Sequence, residues 1–238
     1  MKKASQMIGV QILALLIGIS STVSSVVYAE GKNAQYKKIY NTSLGVEVSV
    51  KADLDVDEDF LTGFLMGIPA DDRDRVQIEE VGGNDLGLYP KRTPFYNMPI
   101  IEPFPASYFY TVHFTNRNFK TNETFLTSVA KGMKTTLRSA ITVSDHANIT
   151  ASVESNYLNF VKARVEADYG TGFSHTVDTQ YEFTGPPESS NYNSRSYYMA
   201  IVNDLGYYKV WRWRNDKKIV NFRAPKNYVI YSIDSLIR

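Results

Sequence analysis

Residues 135–183 read TTLRSAITVSDHANITASVESNYLNFVKARVEADYGTGFSHTVDTQYEF, and the two-residue alternation in this stretch decides the fold class. Between 137 and 153 the odd positions hold Leu137, Ile141, Val143, Ala147, Ile149, Ala151 and Val153, while Arg138, Thr142, Ser144, His146, Asn148, Thr150 and Ser152 occupy even ones. The pattern returns after Asn156. Val161, Ala163, Val165, Ala167, Tyr169, Phe173 and Phe183 alternate with Lys162, Arg164, Glu166, Asp168, Ser174 and Glu182. Successive side chains of a strand point to opposite faces, so this is the pattern of half-buried strands. It predicts a long central antiparallel pair in an all-β fold, an elongated antiparallel β-sandwich with one short helix. A helix over 159–168 is the alternative, because Val161, Val165 and Tyr169 also lie four apart and Ala163, Arg164 and Glu166 are good helix formers. The odd register persists through Gly170 and Gly172 to Phe183 and favours strand.

Working outward, residues 1–29 have the anatomy of a secretory signal peptide. Lys2 and Lys3 form the positive start, 8–19 the apolar core, and Val27, Tyr28 and Ala29 a cleavage site before Glu30. The apolar run is shorter than the roughly 20 residues a spanning helix needs. The expected organisation is a signal peptide, 1–29, and one secreted β-rich domain, 30–238. The chain has no cysteine, so it has neither disulfides nor thiolate metal ligands, a composition that suits a bacterial secreted protein. Removing Lys2 and Lys3 leaves 24 basic against 25 acidic side chains. That balance argues against nucleic-acid binding, which wants a strong basic excess.

Val46, Val48 and Val50 mark a strand, and Asp57, Glu58 and Asp59 ahead of Phe60, Leu61, Phe64 and Leu65 mark the short helix. Residues 71–87 read as a polar loop, 108–114 as a strand and 121–133 as a polar connection. Five of the nine prolines fall between Tyr89 and Pro105 and keep that stretch out of a central ladder. Near the C-terminus, strands are expected over 197–202, 207–214, 219–223 and 228–233. Asn203 to Gly206 reads as a hairpin turn, as does 216–218.

Candidate sites are few. Asp53, Asp55, Asp57 and Asp59 have calcium-loop spacing, but the sixth-position glycine and twelfth-position glutamate are missing, so they read as a solvated helix start. His113, His146 and His175 lie far apart without metal-ligand or general-base spacing. There is no nucleophile elbow, phosphate-binding loop or dinucleotide fingerprint. The expectation is therefore a chain with no catalytic residues, no cofactor and no metal. Trp211, Trp213 and Tyr207 form a candidate aromatic binding surface in a chain with 17 tyrosines.

The run Thr142 to Ser144, Asn148 to Val153, the alternation from Val161 to Phe183, and Thr184 to Glu188 ahead of Tyr197 and Tyr198 resemble small secreted β-rich proteins of Gram-positive bacteria. More distantly, the Ser/Thr-alternating stretch over 135–183 resembles the pore-forming part of the aerolysin and epsilon-toxin superfamily. That resemblance implies secretion as a soluble monomer, oligomerisation and insertion of an amphipathic hairpin. A membrane strand needs about 9–11 residues with apolar side chains toward lipid. The candidate hairpin face is Ile141, Val143, Ile149, Val153, Val161, Val165, Tyr169 and Phe173, with Asp145 as a charged flaw. The first expectation is a non-enzymatic extracellular or cell-envelope binding protein. The alternative is a small aerolysin-like pore-forming toxin. The expected partners are an extracellular or cell-surface ligand of unknown identity and, for the toxin, a membrane and further copies of the chain.

Overall fold

The computed structural model describes residues 36–83, 108–212 and 216–236. The signal segment, the proline-rich stretch and Trp213 lie outside the described residues.

Three long strands form the frame: β4 (Phe109–Ala130), β10 (Ser194–Trp211) and β11 (Lys218–Ser235). β10 pairs antiparallel with β4 on one side and with β11 on the other. Beyond β11 come β3 (Val76–Gly83), β2 (Val46–Lys51) and β1 (Tyr36–Asn41), giving the order β1-β2-β3-β11-β10-β4. β2 and β3 run parallel, so the sheet is mixed. The short β7 (Asn148–Thr150) pairs with β11 and completes seven strands. The chain is β-rich with few helices, as its alternation predicts.

Parity along β10 explains the layers. Ala200 and Val202 face helix α1 (Glu58–Met66), which buries Phe60, Leu61, Phe64 and Leu65 against Val48, Val50, Ile78 and Tyr231. Asp57 caps this helix, accepting from the Phe60 N–H at 2.7 Å. Farther along the same parity, Tyr208 and Val210 meet α2 (Ser155–Tyr169). The odd residues Tyr197, Met199 and Ile201 face two ribbons. One ribbon is β5 (Lys134–Thr136) with β9 (Glu182–Thr184), and the other is β6 (Ile141–His146) with β8 (Gly172–Val177). Each fully buried aliphatic or aromatic side chain here contributes about 1.5–3 kcal/mol of transfer free energy.

The structure corrects five expectations. Residues 161–169 are helix, not strand. Tyr157, Val161, Val165 and Tyr169 form one buried stripe at four-residue spacing, while Ala163 and Ala167, apolar-face residues in the strand reading, are exposed. Arg164–Asp168 at 3.6 Å and Lys162–Glu166 at 3.9 Å add i,i+4 pairs. Gly170, at φ +79°, ends the helix in a conformation that L residues rarely adopt. The first arm of the expected pair is also interrupted, with β7 leaving β6 to join β11. Asn203 to Gly206 is not a turn. β10 runs through it, with Asn203 and Asp204 buried and the ladder register shifting on both sides. Finally, 121–130 belongs to β4, and 71–87 contains a 3-10 turn (Ala70–Arg75) and β3.

Candidate functional site

The site begins with an irregularity in β3. Ile78 pairs with Tyr231 and Glu80 with Ile230, so Glu79 is one residue too many for the ladder. Adjacent residues of a regular strand point to opposite faces, and a bulge of this kind re-aims one of them. Val76, Ile78 and Val81 keep to the α1 side. Glu79 and Glu80 both line a cleft on the other side of the sheet.

This cleft has a volume of about 840 Å³. Its floor comes from alternating positions on four neighbouring strands: Tyr36 on β1, Ser49 and Lys51 on β2, Gln77 on β3, Asp234 on β11. Arg195 and Tyr197 extend the floor onto β10. Tyr181, Thr184 and the loop bearing Tyr192 form the wall. Backbone hydrogen bonds pin that wall. Gly185 N–H donates to Met133 O at 2.9 Å, Gly132 N–H to Pro186 O at 2.8 Å, and Asn193 N–H to Ser235 O at 3.0 Å. A Cβ on Gly185 would lie 1.9 Å from the Ala130 carbonyl oxygen, so only glycine lets β9 approach β4 this closely.

The polar groups of the cleft fall into two sets. Arg195 and Asp234 form a buried bidentate pair, and Gln77 donates to Asp234 at 3.0 Å. Burial opposes the charge on Arg195, but the Asp234 hydrogen bonds and charge outweigh it and hold the guanidinium pKa above its ordinary value. The second set is bound by hydroxyls. Glu79 accepts from Tyr36 and, at 2.8 Å, from Ser232. Glu80 accepts from Tyr228, and burial, with the Glu80 charge beside it, raises the pKa of the Tyr181 hydroxyl. Burial pushes the Glu79 carboxyl up, against the opposing pull of the Tyr36 and Ser232 hydrogen bonds. Burial, with the Glu79 charge behind it, raises Tyr197 to about 12. That hydroxyl is tied to Thr184, donating to its carbonyl at 2.6 Å and accepting from its N–H at 3.2 Å. The result is a concave, aromatic-walled site with a few converging polar groups, within the size range of ligand pockets. Among the described residues, no three acidic, histidine or cysteine side chains gather as a metal centre would require.

The residues singled out from sequence lie elsewhere. The candidate hairpin face is divided between two cores. Val143 and Phe173 are buried under β6 and β8, with Ile141 packed beside them. Val161, Val165 and Tyr169 are buried under α2, with Ile149 and Val153 packed against that cluster. Asp145, the flaw on that face, is buried and fully engaged. It pairs with Arg223 at 2.9 Å and accepts from Asn203 at 3.1 Å and Thr121 at 3.2 Å. On β10, Tyr207 stacks on His113 at 4.8 Å and Trp211 lies under Lys217. These two share a face, but neither lines the cleft. His175 stacks on Tyr228, and burial lowers its pKa. The cleft itself escaped the sequence reading. Its signal was Val76, Ile78 and Val81, an alternation that slips by one residue at the acidic pair.

No protein-family model matches the chain, and no curated protein matches it by sequence. A solved structure of a candidate pore-forming toxin from Bacteroides vulgatus ATCC 8482 overlaps it with a TM-score of 0.23 at 12% identity. The overlap covers 55% of this chain and 57% of that one. Agreement at this level assigns neither a family nor a function.

Proposed function

We propose that the protein is a non-enzymatic, secreted binding protein that takes an extracellular or cell-envelope ligand in the tyrosine-walled cleft. One observation carries this reading: the bulge at Glu79 turns two adjacent carboxylates into a concave site already lined by Tyr36, Tyr181, Tyr192 and Tyr197. Rigid strands supply the floor and a pinned loop supplies the wall, which favours recognition without reorganisation. A panel of immobilised cell-wall polymers, glycans and peptides tests it. Wild-type protein should bind a subset of the panel, and Tyr181→Ala with Tyr192→Ala should abolish that binding in protein that still folds, at the lower Tm expected from losing the Tyr181 ring beside Phe183. Binding that survives both substitutions, or none to any member, contradicts the reading.

A second reading, membrane insertion of the β6–α2–β8 segment as an amphipathic hairpin, rests on a different observation. Val161, Val165 and Tyr169 satisfy both periods, so α2, if extended, would place them on one face with Ala163 and Ala167. Release of dye from liposomes by folded wild-type protein supports this reading. Intact liposomes at every concentration where the protein is folded remove it.

A further inference from the structure

The lining of the cleft also selects a ligand chemistry. Its carboxylates are Glu79, Glu80, Glu182 and Asp234, and its cations are Lys51 and Arg195. Arg195 is committed to Asp234, and Glu182 pairs at 2.6 Å with Lys134. That leaves Lys51 to balance two carboxylates, Glu79 and Glu80. Among the described residues both are held by hydroxyl donors, and neither has an ion-pair partner. With both carboxylates ionised, the cleft is therefore one positive charge short. Glu79 is buried and Glu80 half-buried, and a carboxylate already taken out of water attracts an entering cation more strongly than a hydrated one.

The tyrosines point the same way. The hydroxyls of Tyr36 and Tyr197 are tied to Glu79 and Thr184. Tyr197 is buried against Phe183, so what the cleft still offers a ligand are the partly exposed rings of Tyr36, Tyr181 and Tyr192. Ring faces and carboxylates together suit an ammonium group, which gains from both the quadrupole and the negative charge. An anionic ligand would meet Glu79 and Glu80, with Lys51 alone among the cleft's cations uncommitted to receive it.

Resting on the cleft reading above, we infer that the ligand carries a protonated amine, which binds between Glu79, Glu80 and the tyrosine wall. Two sources supply such a group in an extracellular setting: the free amine of a deacetylated amino sugar and the side chain of a lysine-bearing peptide. The cleft volume accommodates one sugar ring or one lysine side chain with its flanking backbone.

Calorimetric titration with two probe pairs tests this. The first is the glucosamine tetramer against its fully N-acetylated form, and the second is tetralysine against its acetylated form. Amine probes should bind about tenfold or more tightly than their acetylated partners, and the affinity should fall with added salt. A preference confined to one pair identifies the source. Glu80→Gln, which keeps an acceptor for Tyr228, should weaken amine binding about tenfold at unchanged Tm. Ser49→Lys places a cation in the cleft while leaving both carboxylates in place, and should weaken amine probes more than their acetylated partners. Equal binding of amine and acetylated probes, no binding of any amine probe, or indifference to Ser49→Lys each overturns the inference. The cleft reading survives those outcomes if the panel ligand still depends on Tyr181 and Tyr192.

Discussion

Arg195 holds Asp234 by two charge-assisted hydrogen bonds, Nε to Oδ1 at 2.6 Å and Nη2 to Oδ2 at 3.0 Å, with both side chains less than a tenth exposed. The two residues sit on neighbouring strands, β10 and β11, at directly opposed positions of the ladder. This pair fixes the end of the long β10–β11 ribbon that floors the cleft.

Breaking the pair leaves a buried charge. Arg195→Ala and Asp234→Ala should each cost about 3–5 kcal/mol in urea unfolding. The double replacement should cost clearly less than the sum of the two. Strict additivity would show that the two side chains do not act as a unit.

Glu79 makes stability depend on pH. Its ordinary value is 4.5, and burial raises it in the folded state. Between those two values the folded protein binds the proton more tightly than the unfolded chain does. Its contribution is therefore fully present below about 4.5 and is lost as pH rises through the folded value. Glu79→Gln removes this term. Thermal melts from pH 4 to pH 8 should show the difference in Tm shifting toward the variant as pH rises. A difference constant across that range contradicts the assignment.

The stripe on α2 discriminates helix from strand. Val165 is fully buried, so Val165→Asp should destabilise by several kcal/mol. Ala163 shares an apolar face with Val165 only if the segment is extended. It is exposed on the helix, so Ala163→Glu should stay within about 0.5 kcal/mol. Val143→Asp should follow Val165→Asp, while Ser144→Asp and Glu166→Gln stay mild. Chemical denaturation of the set reads the outcome directly.

Asp145 is the keystone between β6 and the long strands. Asp145→Leu leaves Arg223, Asn203 and Thr121 without their acceptor and should cost about 1–3 kcal/mol or more. Asp145→Asn retains one acceptor oxygen and should cost less. Reversal of that order would show that apolar packing of β6 outweighs the polar cluster.

The β-rich class, α1 with its acidic start, and the strands around Val48 and Tyr110 were legible because each shows one unambiguous period. Residues 161–169 were not, because Val161, Val165 and Tyr169 fit a period of two and a period of four equally well. Tertiary burial chose between them: the stripe needs only those positions and Tyr157, and leaves Ala163 and Ala167 in water. Asn203 to Gly206 misled for a related reason. Turn-forming residues in a long strand also serve as the irregular, polar waist of a sheet, where Asn203 and Asp204 are buried against partners on β4, β6 and α2. The cleft was hidden because its parts come from β1, β2, β3, β10 and β11, and only pairing brings them together. The one local sign was the slip in alternation at Glu79.

NMR on protein carrying ring-labelled tyrosine, titrated with the panel polymers and the amine probes, tests the cleft most directly. Binding in the cleft predicts that Tyr36, Tyr181, Tyr192 and Tyr197 shift together and saturate with one affinity, while Tyr207 and Tyr108 stay unchanged. Shifts centred on Tyr207, or no shift of the four cleft tyrosines with any probe that binds, would contradict it.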